Sequence, residues 1–288
     1  MKPMRYTFKQ FKEEYPDDQA CLESVLENRY GDTCPRCGVV GVKFHPITGR
    51  QGFVCSECDH HIYPLADTIF RKTTTPLWSW FYAIYLFSTS KNGVSAKELE
   101  RHLGVTYKTA WRMAKQIRLL MQQEAEQLKG DVEVDETYYG SKRKIGTNWS
   151  VNKAIVFGMV ERHGTIRALK VKSTGTRVLI PQIRSSVDPN ANIFSDEYSS
   201  YKTLKHYGYS HTTVNHSKLE YVRGSAHTNT IEGFWSQLKR SIDGTYHAVS
   251  PKYLPFYIDE FVFRYNFRKV AVCPVLLELA GKPVLSVA

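Results

Sequence analysis

Two C-x2-C pairs, "CPRC" at 34–37 and "CSEC" at 55–58, stand 17 residues apart. Two thiolates in one tight knuckle aim at a common centre, and two knuckles complete a tetrahedral sulfur shell. The segment between them must therefore be turns and short strands that bring the knuckles together. The spacing fits the zinc-ribbon template, so Cys34, Cys37, Cys55 and Cys58 are expected to hold one structural Zn2+. A thioredoxin-like redox site would need only one of the pairs. Four thiolates leave no open coordination position, so this metal is assigned no catalysis. His60 and His61 follow the second knuckle and are alternative ligands that four cysteines make unnecessary. Cys21 and Cys273 have no partner spacing and read as buried apolar residues.

The 288 residues are enough for about two domains, or one large core with a smaller appendage. At 42% hydrophobic and 13% aromatic residues the chain is a folding sequence. Its 39 Lys and Arg outnumber 28 Asp and Glu, and the net charge of +11 favours a polyanionic partner, nucleic acid first. The opening "MKPMRYTFKQFKEEYPDD" is too charged for a secretory core. The most apolar stretch, "PLWSWFYAIYLFS" (76–88), is too short to span a bilayer and reads as a buried helix. The expectation is a cytoplasmic protein with no membrane partner, where cysteines bind metal rather than form disulfides.

Residues 17–30 predict a helix capped by Asp17 or Asp18, with Cys21, Leu22, Val25 and Leu26 on one face. From Pro76 to about Leu128 the pattern is helical. Within it, "SAKELERHLGVTYKTAWRMAKQIRLL" (95–120) fits two helices about a turn. Ser95 and Glu98 form a capping box, Gly104 allows the turn, Val105 packs the corner and Thr106 caps the second helix. Ala110, Met113 and Ile117 would face inward. Tyr107, Lys108, Thr109 and Arg112 lie in the first turns of the second helix, where a recognition helix meets DNA. After Lys129 the pattern shifts to three strands, a helix that includes Pro181, two strands and further helices, which suggests an α/β domain with a mixed sheet. The expected domains are a helical leader (1–30), a zinc ribbon (31–74), a helix-turn-helix domain (75–128) and a C-terminal α/β domain (129–288).

In "DVEVDE" (131–136), Asp131, Glu133 and Asp135 share one strand face, which repels itself unless solvated or neutralised by a cation. In "FSDEYSSY", Asp196 stands just past Ile193 and Phe194, at the end of a strand where open α/β sheets hold their sites. In "HTNTIEGFWSQLKR" (227–240), Ile231, Phe234, Trp235 and Leu238 make one helical face. Asn229, Glu232, Ser236 and Lys239 make a polar stripe beside it, centred on a carboxylate. Two strand-end Asp and one helical Glu form a hard oxygen site suited to Mg2+ or Mn2+. Two such ions activate a nucleophile and stabilise the leaving oxygen of a phosphodiester. Lys239, on the same face as Glu232, is placed to hold a phosphate. Glu136 and Glu197 read as solvated surface residues. Tyr138, Tyr139 and the basic loop 141–149, with Lys142, Arg143 and Lys144, are candidate DNA contacts. His216 and His227 are weaker candidates for a catalytic role.

These residues resemble one family. "CPRCG", "VCSEC", "GVTYKTAWRM", "VEVDETYYG", "SDEYSSY", "HTNTIEGFWSQLKR" and "FVFRYNFR" are similar, in order, to the zinc-ribbon, DDE-type insertion-sequence transposases of the ISXO type. The resemblance implies an RNase H-like catalytic domain with two Mg2+ ions. It puts the first catalytic Asp at Asp135, the second at Asp196 and the third carboxylate at Glu232, with 35 residues between the last two. Lys239 matches the basic residue often found seven positions past the Glu. Some relatives carry Asn as the third residue, which makes Asn229 a rival. The implied activity is binding of terminal inverted repeats, hydrolysis at the transposon ends and attack of the freed 3′-OH on target DNA. Cutting two ends implies at least a homodimer, and the setting implied is the bacterial nucleoid. Two other readings share these motifs: a DNA-binding regulator derived from a transposase, and a metal-dependent nuclease without strand transfer.

Overall fold

A computed structural model describes residues 6–123, 126–140, 153–214 and 227–283. The chain divides into two compact units, residues 1–121 with 268–288, and residues 122–267.

The first unit begins with α1 (Phe8–Glu14) and α2 (Asp18–Tyr30). Asp17 caps α2 by accepting the Ala20 N–H at 2.9 Å, and Cys21, Leu22, Val25 and Leu26 are buried as the spacing predicts. Strands β1 (Phe44–Pro46), β2 (Phe53–Cys55) and β3 (His61–Ile62) form a small antiparallel sheet in that order. Helix α3 (Leu77–Thr89) is the apolar stretch, and it buries Trp80, Phe81, Ile84 and Phe87. Among the described residues no helix is long and apolar enough to cross a membrane.

Helices α4 (Ala96–Leu103) and α5 (Tyr107–Leu120) flank a turn at Gly104, whose φ of 63° lies in the left-handed region that suits glycine. Of the expected capping box, the Ser95 half forms: its Oγ accepts the Glu98 N–H at 3.1 Å. Thr106 caps α5, and Ala110, Met113 and Ile117 are buried.

In the second unit, β4 (Asp131–Tyr139), β5 (Ala154–Glu161), β6 (Ile166–Val171), β7 (Asn192–Ser195) and β8 (Ser210–Thr213) form one sheet in the order β6-β5-β4-β7-β8. The pairs β6-β5 and β5-β4 are antiparallel, and β4-β7 and β7-β8 are parallel. Helix α6 (Thr176–Ser186) runs through Pro181, which sits on its exposed side, and packs Leu179, Ile180 and Ile183 over Val132, Val134 and Ile193. On the opposite face α7 (Asn229–Ser241) and α8 (Leu254–Asn266) pack against Val156 and Val160. The last helix, α9 (Val272–Gly281), is a correction to the expected boundaries. It packs in the first unit on α2 and α3 and buries Cys273, Leu276 and Leu277 there. Its apolar face needs an apolar partner, and the aromatic surface of α3 supplies one.

What positions α7 is a buried charge. Glu133 is fully buried beneath the start of that helix. Its Oε2 accepts the backbone N–H groups of Thr230 and Ile231 at 2.9 and 3.1 Å, and its Oε1 accepts Thr230 Oγ1 and Arg162 Nε, each at 2.9 Å. A carboxylate under a helix N-terminus satisfies orphan donors and opposes the positive end of the helix dipole. Arg162 supplies the counter-charge, donates to His227 O at 2.8 Å and lies over the Phe194 ring at 4.2 Å. Breaking such a buried pair costs about 3–5 kcal/mol. Glu133→Ala is therefore expected to lower the unfolding free energy measured by urea titration by an amount of that order, and Glu133→Gln, which keeps the shape, by less. An unchanged value in the alanine variant would show that α7 is held by its apolar face alone.

Candidate active site

Strands β4 and β7 keep register as far as Glu133 and Phe194; two residues further along each chain stand Asp135 and Asp196. Helix α7 crosses the same end of the sheet. Asp135, Glu136, Asp196, Glu232, Trp235 and Lys239 are among the residues that line one open cavity of about 450 Å3. The four polar positions singled out in the sequence are thus brought to one place.

Each acid is held by a neighbour. Trp235 Nε1 donates to Asp135 Oδ2 at 2.9 Å. That indole packs against Gly158, the residue paired with Asp135 across β4 and β5; a Cβ there would come within 2.6 Å of the ring. Asp196 Oδ1 accepts the Tyr198 N–H at 3.0 Å. Its carbonyl accepts Ser195 Oγ–H at 2.7 Å, and Ser195 Oγ in turn lies 2.9 Å from His211 Nε2. Burial, then Lys205, pushes His211 down to about 4, so the ring is neutral at pH 7. Glu232 Oε1 accepts Thr228 Oγ1–H at 2.8 Å at the head of α7.

Half-buried acids crowd one another in the cavity. Burial, with Glu136 and Asp196 adding, pushes the Asp135 carboxyl up to about 7 despite the Trp235 hydrogen bond. Glu136 is raised by the same cause, against a hydrogen bond from Tyr201. Here the reading of Glu136 as a solvated surface residue is corrected. Alternation puts it on the face of β4 that Val132 and Val134 share, and that face is core. Glu197 is exposed, as expected.

Other candidates separate by position. Asn229 is exposed at the first turn of α7 and does not line the cavity. Glu133 is the helix clamp, and Asp131 accepts Asn192 Nδ2 at 2.9 Å with Arg162 Nη1 at 3.6 Å, so neither joins the site. His227 Nδ1 lies 3.1 Å from Glu133 Oε1 without hydrogen-bond alignment, outside the cavity lining. Tyr139 is half-buried with its hydroxyl accepting the Val249 N–H at 3.2 Å, a packing role, whereas Tyr138 is exposed. His216, Lys142, Arg143 and Lys144 lie outside the described residues. In the first unit Tyr107, Lys108 and Arg112 are exposed on α5 and Thr109 is half-buried; Lys97 Nζ lies over the Tyr107 ring at 4.9 Å, and Arg112 donates to Arg71 O at 3.3 Å.

The four sulfurs of Cys34, Cys37, Cys55 and Cys58 lie within 4.8 Å of one another, with Cys34 and Cys58 3.8 Å apart. Zn–S bonds of about 2.3 Å in a tetrahedron set S···S near 3.8 Å, so the shell fits zinc. Arg36 and Glu57 N–H groups donate to Cys34 and Cys55 Sγ at 3.4 Å, which orients both knuckles. His60 and His61 are not part of this group. The apolar cluster around the sulfurs adds only Val42 and Phe44 to the cysteines, too little to hold a fold without the metal. Among the described residues no three carboxylates draw together to within that 4.8 Å. Two cations about 3.5–4 Å apart need donors spread around both.

Residues 127–266 match the ISXO2-like transposase domain, and residues 16–61 match the transposase zinc-ribbon domain. An uncharacterized protein in transposable element ISH50 of Halobacterium salinarum is 26% identical over 275 residues, 87% of this chain and 91% of the relative. An uncharacterized transposase-like protein of Haemophilus influenzae is 27% identical over 96 residues, 33% of this chain and 76% of the relative. A simian T-cell lymphotropic virus intasome in complex with PP2A regulatory subunit B56 gamma is matched over 59% of this chain and 64% of that chain, at 13% identity. Its TM-score of 0.33 is too low to carry an argument. With both domains matched in the order of the cysteine pairs and the acids, the chain belongs to the zinc-ribbon, ISXO2-like insertion-sequence transposases.

Proposed function

We propose that the chain is a DNA transposase that binds its element's terminal inverted repeats, hydrolyses the phosphodiester at each end and joins the 3′-OH to target DNA. The observation that carries this reading is the convergence of Asp135, Asp196 and Glu232, from two strands and a helix, on one open cavity. Residues 129–267 act as an RNase H-like catalytic domain. The pair α4 and α5 acts as a helix-turn-helix, with Tyr107, Lys108, Thr109 and Arg112 toward DNA. The ribbon with its single Zn2+ supports that contact. The protein works as a homodimer or larger assembly, one catalytic unit per cut end, in the bacterial cytoplasm.

The donor set suits two Mg2+ or Mn2+ ions. It is all oxygen, it carries more negative charge than it can hold unaided, and its acids are spread around a cavity rather than collapsed on one point. When bound, the ions supply activation of the attacking oxygen and stabilisation of the leaving one. The chain supplies placement. The Trp235 N–H fixes one carboxylate oxygen of Asp135, a residue that lines the cavity. Thr228 does the same for Glu232. The Tyr198 N–H and the Ser195 hydroxyl hold Asp196 at its side chain and its carbonyl. Lys239, on the α7 face that carries Glu232, takes a phosphate oxygen of the bound strand.

Replacing Asp135, Asp196 or Glu232 by Ala is expected to abolish cleavage and strand transfer while end binding persists. Pre-cut end DNA with a plasmid target, with and without Mg2+, reads this out: integration products support the transposase, hydrolysis alone a nuclease, and binding alone a regulator. Cleavage persisting in all three variants would end the assignment.

The metal-free protein also has a pH signature. With its carboxyl raised to about 7, Asp135 keeps in the folded state a proton that the unfolded chain releases near pH 4. Stability from this group therefore falls as pH rises from about 4 to about 7, and the full penalty is present above that window. At pH 8 without divalent ions, Asp135→Asn should melt higher than the parent. Mn2+ should raise the parent's melting temperature and move the variant much less. Equal responses of the two proteins to Mn2+ would count against Asp135 as a ligand.

Cys34→Ser and Cys55→Ser are expected to lose the zinc and weaken end binding. Zinc analysis showing one metal per chain in both variants would contradict the four-sulfur site.

A further inference from the structure

The far end of β4 opens onto a second concavity, of about 850 Å3, lined by Tyr138, Lys153, Lys170, Lys172 and Thr174 among others, with no carboxylate in its described lining. Three ammonium groups without a lining acid form a site for a polyanion. Lys170 Nζ donates to Pro251 O at 2.8 Å, and an ammonium with three protons can still bind a phosphate oxygen beside that bond. Tyr138 and Tyr198 are 38% and 37% exposed.

The groove is tied to the catalytic cavity by one residue. Tyr198 OH lies 2.8 Å from Thr174 Oγ1 on the groove wall, and Tyr198 N–H donates to Asp196 Oδ1 at 3.0 Å. Along β4 the two sites are also consecutive: Asp135, Glu136 and Thr137 line the cavity and Tyr138 the groove. At strand rise, Asp135 and Tyr138 are about 10 Å apart along the chain.

We propose that this groove receives one strand of DNA as it leaves the catalytic cavity. Lys153, Lys170 and Lys172 hold its phosphates, and Tyr138 stacks on an unpaired base a few nucleotides from the scissile bond. A single strand is favoured over a duplex because a ring face gains stacking only from a base free of its own stack. The acids of the cavity repel a backbone until cations arrive, whereas the groove attracts it from the start, so the groove gives the strand its hold. The site rests on the transposase reading for the origin of that strand, but its binding chemistry can be tested apart from it.

Fluorescent oligothymidine, titrated against the zinc-loaded full chain in EDTA-free buffer without divalent ions, is the probe. Single strands lose about 0.7 in the log–log salt slope per neutralised phosphate. The Lys153→Gln, Lys172→Gln double variant should therefore show a slope shallower by about 1.4. Tyr138→Ala should bind about tenfold more weakly at fixed salt. Asp135→Asn should bind at least as well as the parent. A blunt duplex of the same length should be little affected by Tyr138→Ala. Parental slope and affinity in both groove variants, or equal losses on duplex and single strand, would overturn the groove. Failure of strand transfer in the parent would instead defeat the transposase reading and leave the oligothymidine result standing.

Discussion

The second unit depends on one carboxylate that takes no part in the chemistry proposed for it. Glu133 sits fully buried between β4 and the first turn of α7. It meets two helix N–H groups and a guanidinium, so its charge is met on both sides. A helix docked only by Ile231, Phe234, Trp235 and Leu238 could slide along an apolar sheet face at small cost. A helix whose N-terminus is bonded to a fixed buried oxygen cannot. The clamp thus sets the rotation and height of α7, and with them the place of Glu232 relative to Asp135.

The acids of β4 illustrate a division of labour along a single strand. Glu133 is paired with Arg162, which also lies 3.6 Å from the partly exposed Asp131, while Asp135 is left with like charges as neighbours and a carboxyl raised to about 7. The same strand therefore holds a charge-paired, structural carboxylate and, two residues on, one set among like charges. In a chain of net charge +11 this cavity is a local exception, and the basic groove beside it restores the overall sign within a few residues.

Much of this was legible in the residues. The two cysteine knuckles carry their own geometry in their spacing, and the four-sulfur shell follows from it. The α7 pattern separates an apolar face from a polar stripe, and both fall where the periodicity puts them. The roles of the three β4 acids were not legible from alternation, which gives Asp131, Glu133 and Asp135 equal weight. What distinguishes them is nonlocal: Arg162 lies 29 residues from Glu133 and Thr230 lies 97. Glu136 carries a signal of its burial in the sequence, its parity with Val132 and Val134. The destination of α9 had none, because "VCPVLLELAG" is apolar without naming a partner. A family resemblance supplied what spacing did not, the choice of Asp135 among its neighbours.

Gly158 is the least conspicuous member of the site. It carries no functional group, yet the indole of Trp235 occupies the space any side chain would fill there. The two positions form one steric unit, 77 residues apart in the chain. Neither can drift alone: a larger residue on β5 demands a smaller one on α7, and a smaller one on α7 removes the donor that orients Asp135. Variation in this lineage should therefore treat the glycine and the tryptophan as a single inherited choice.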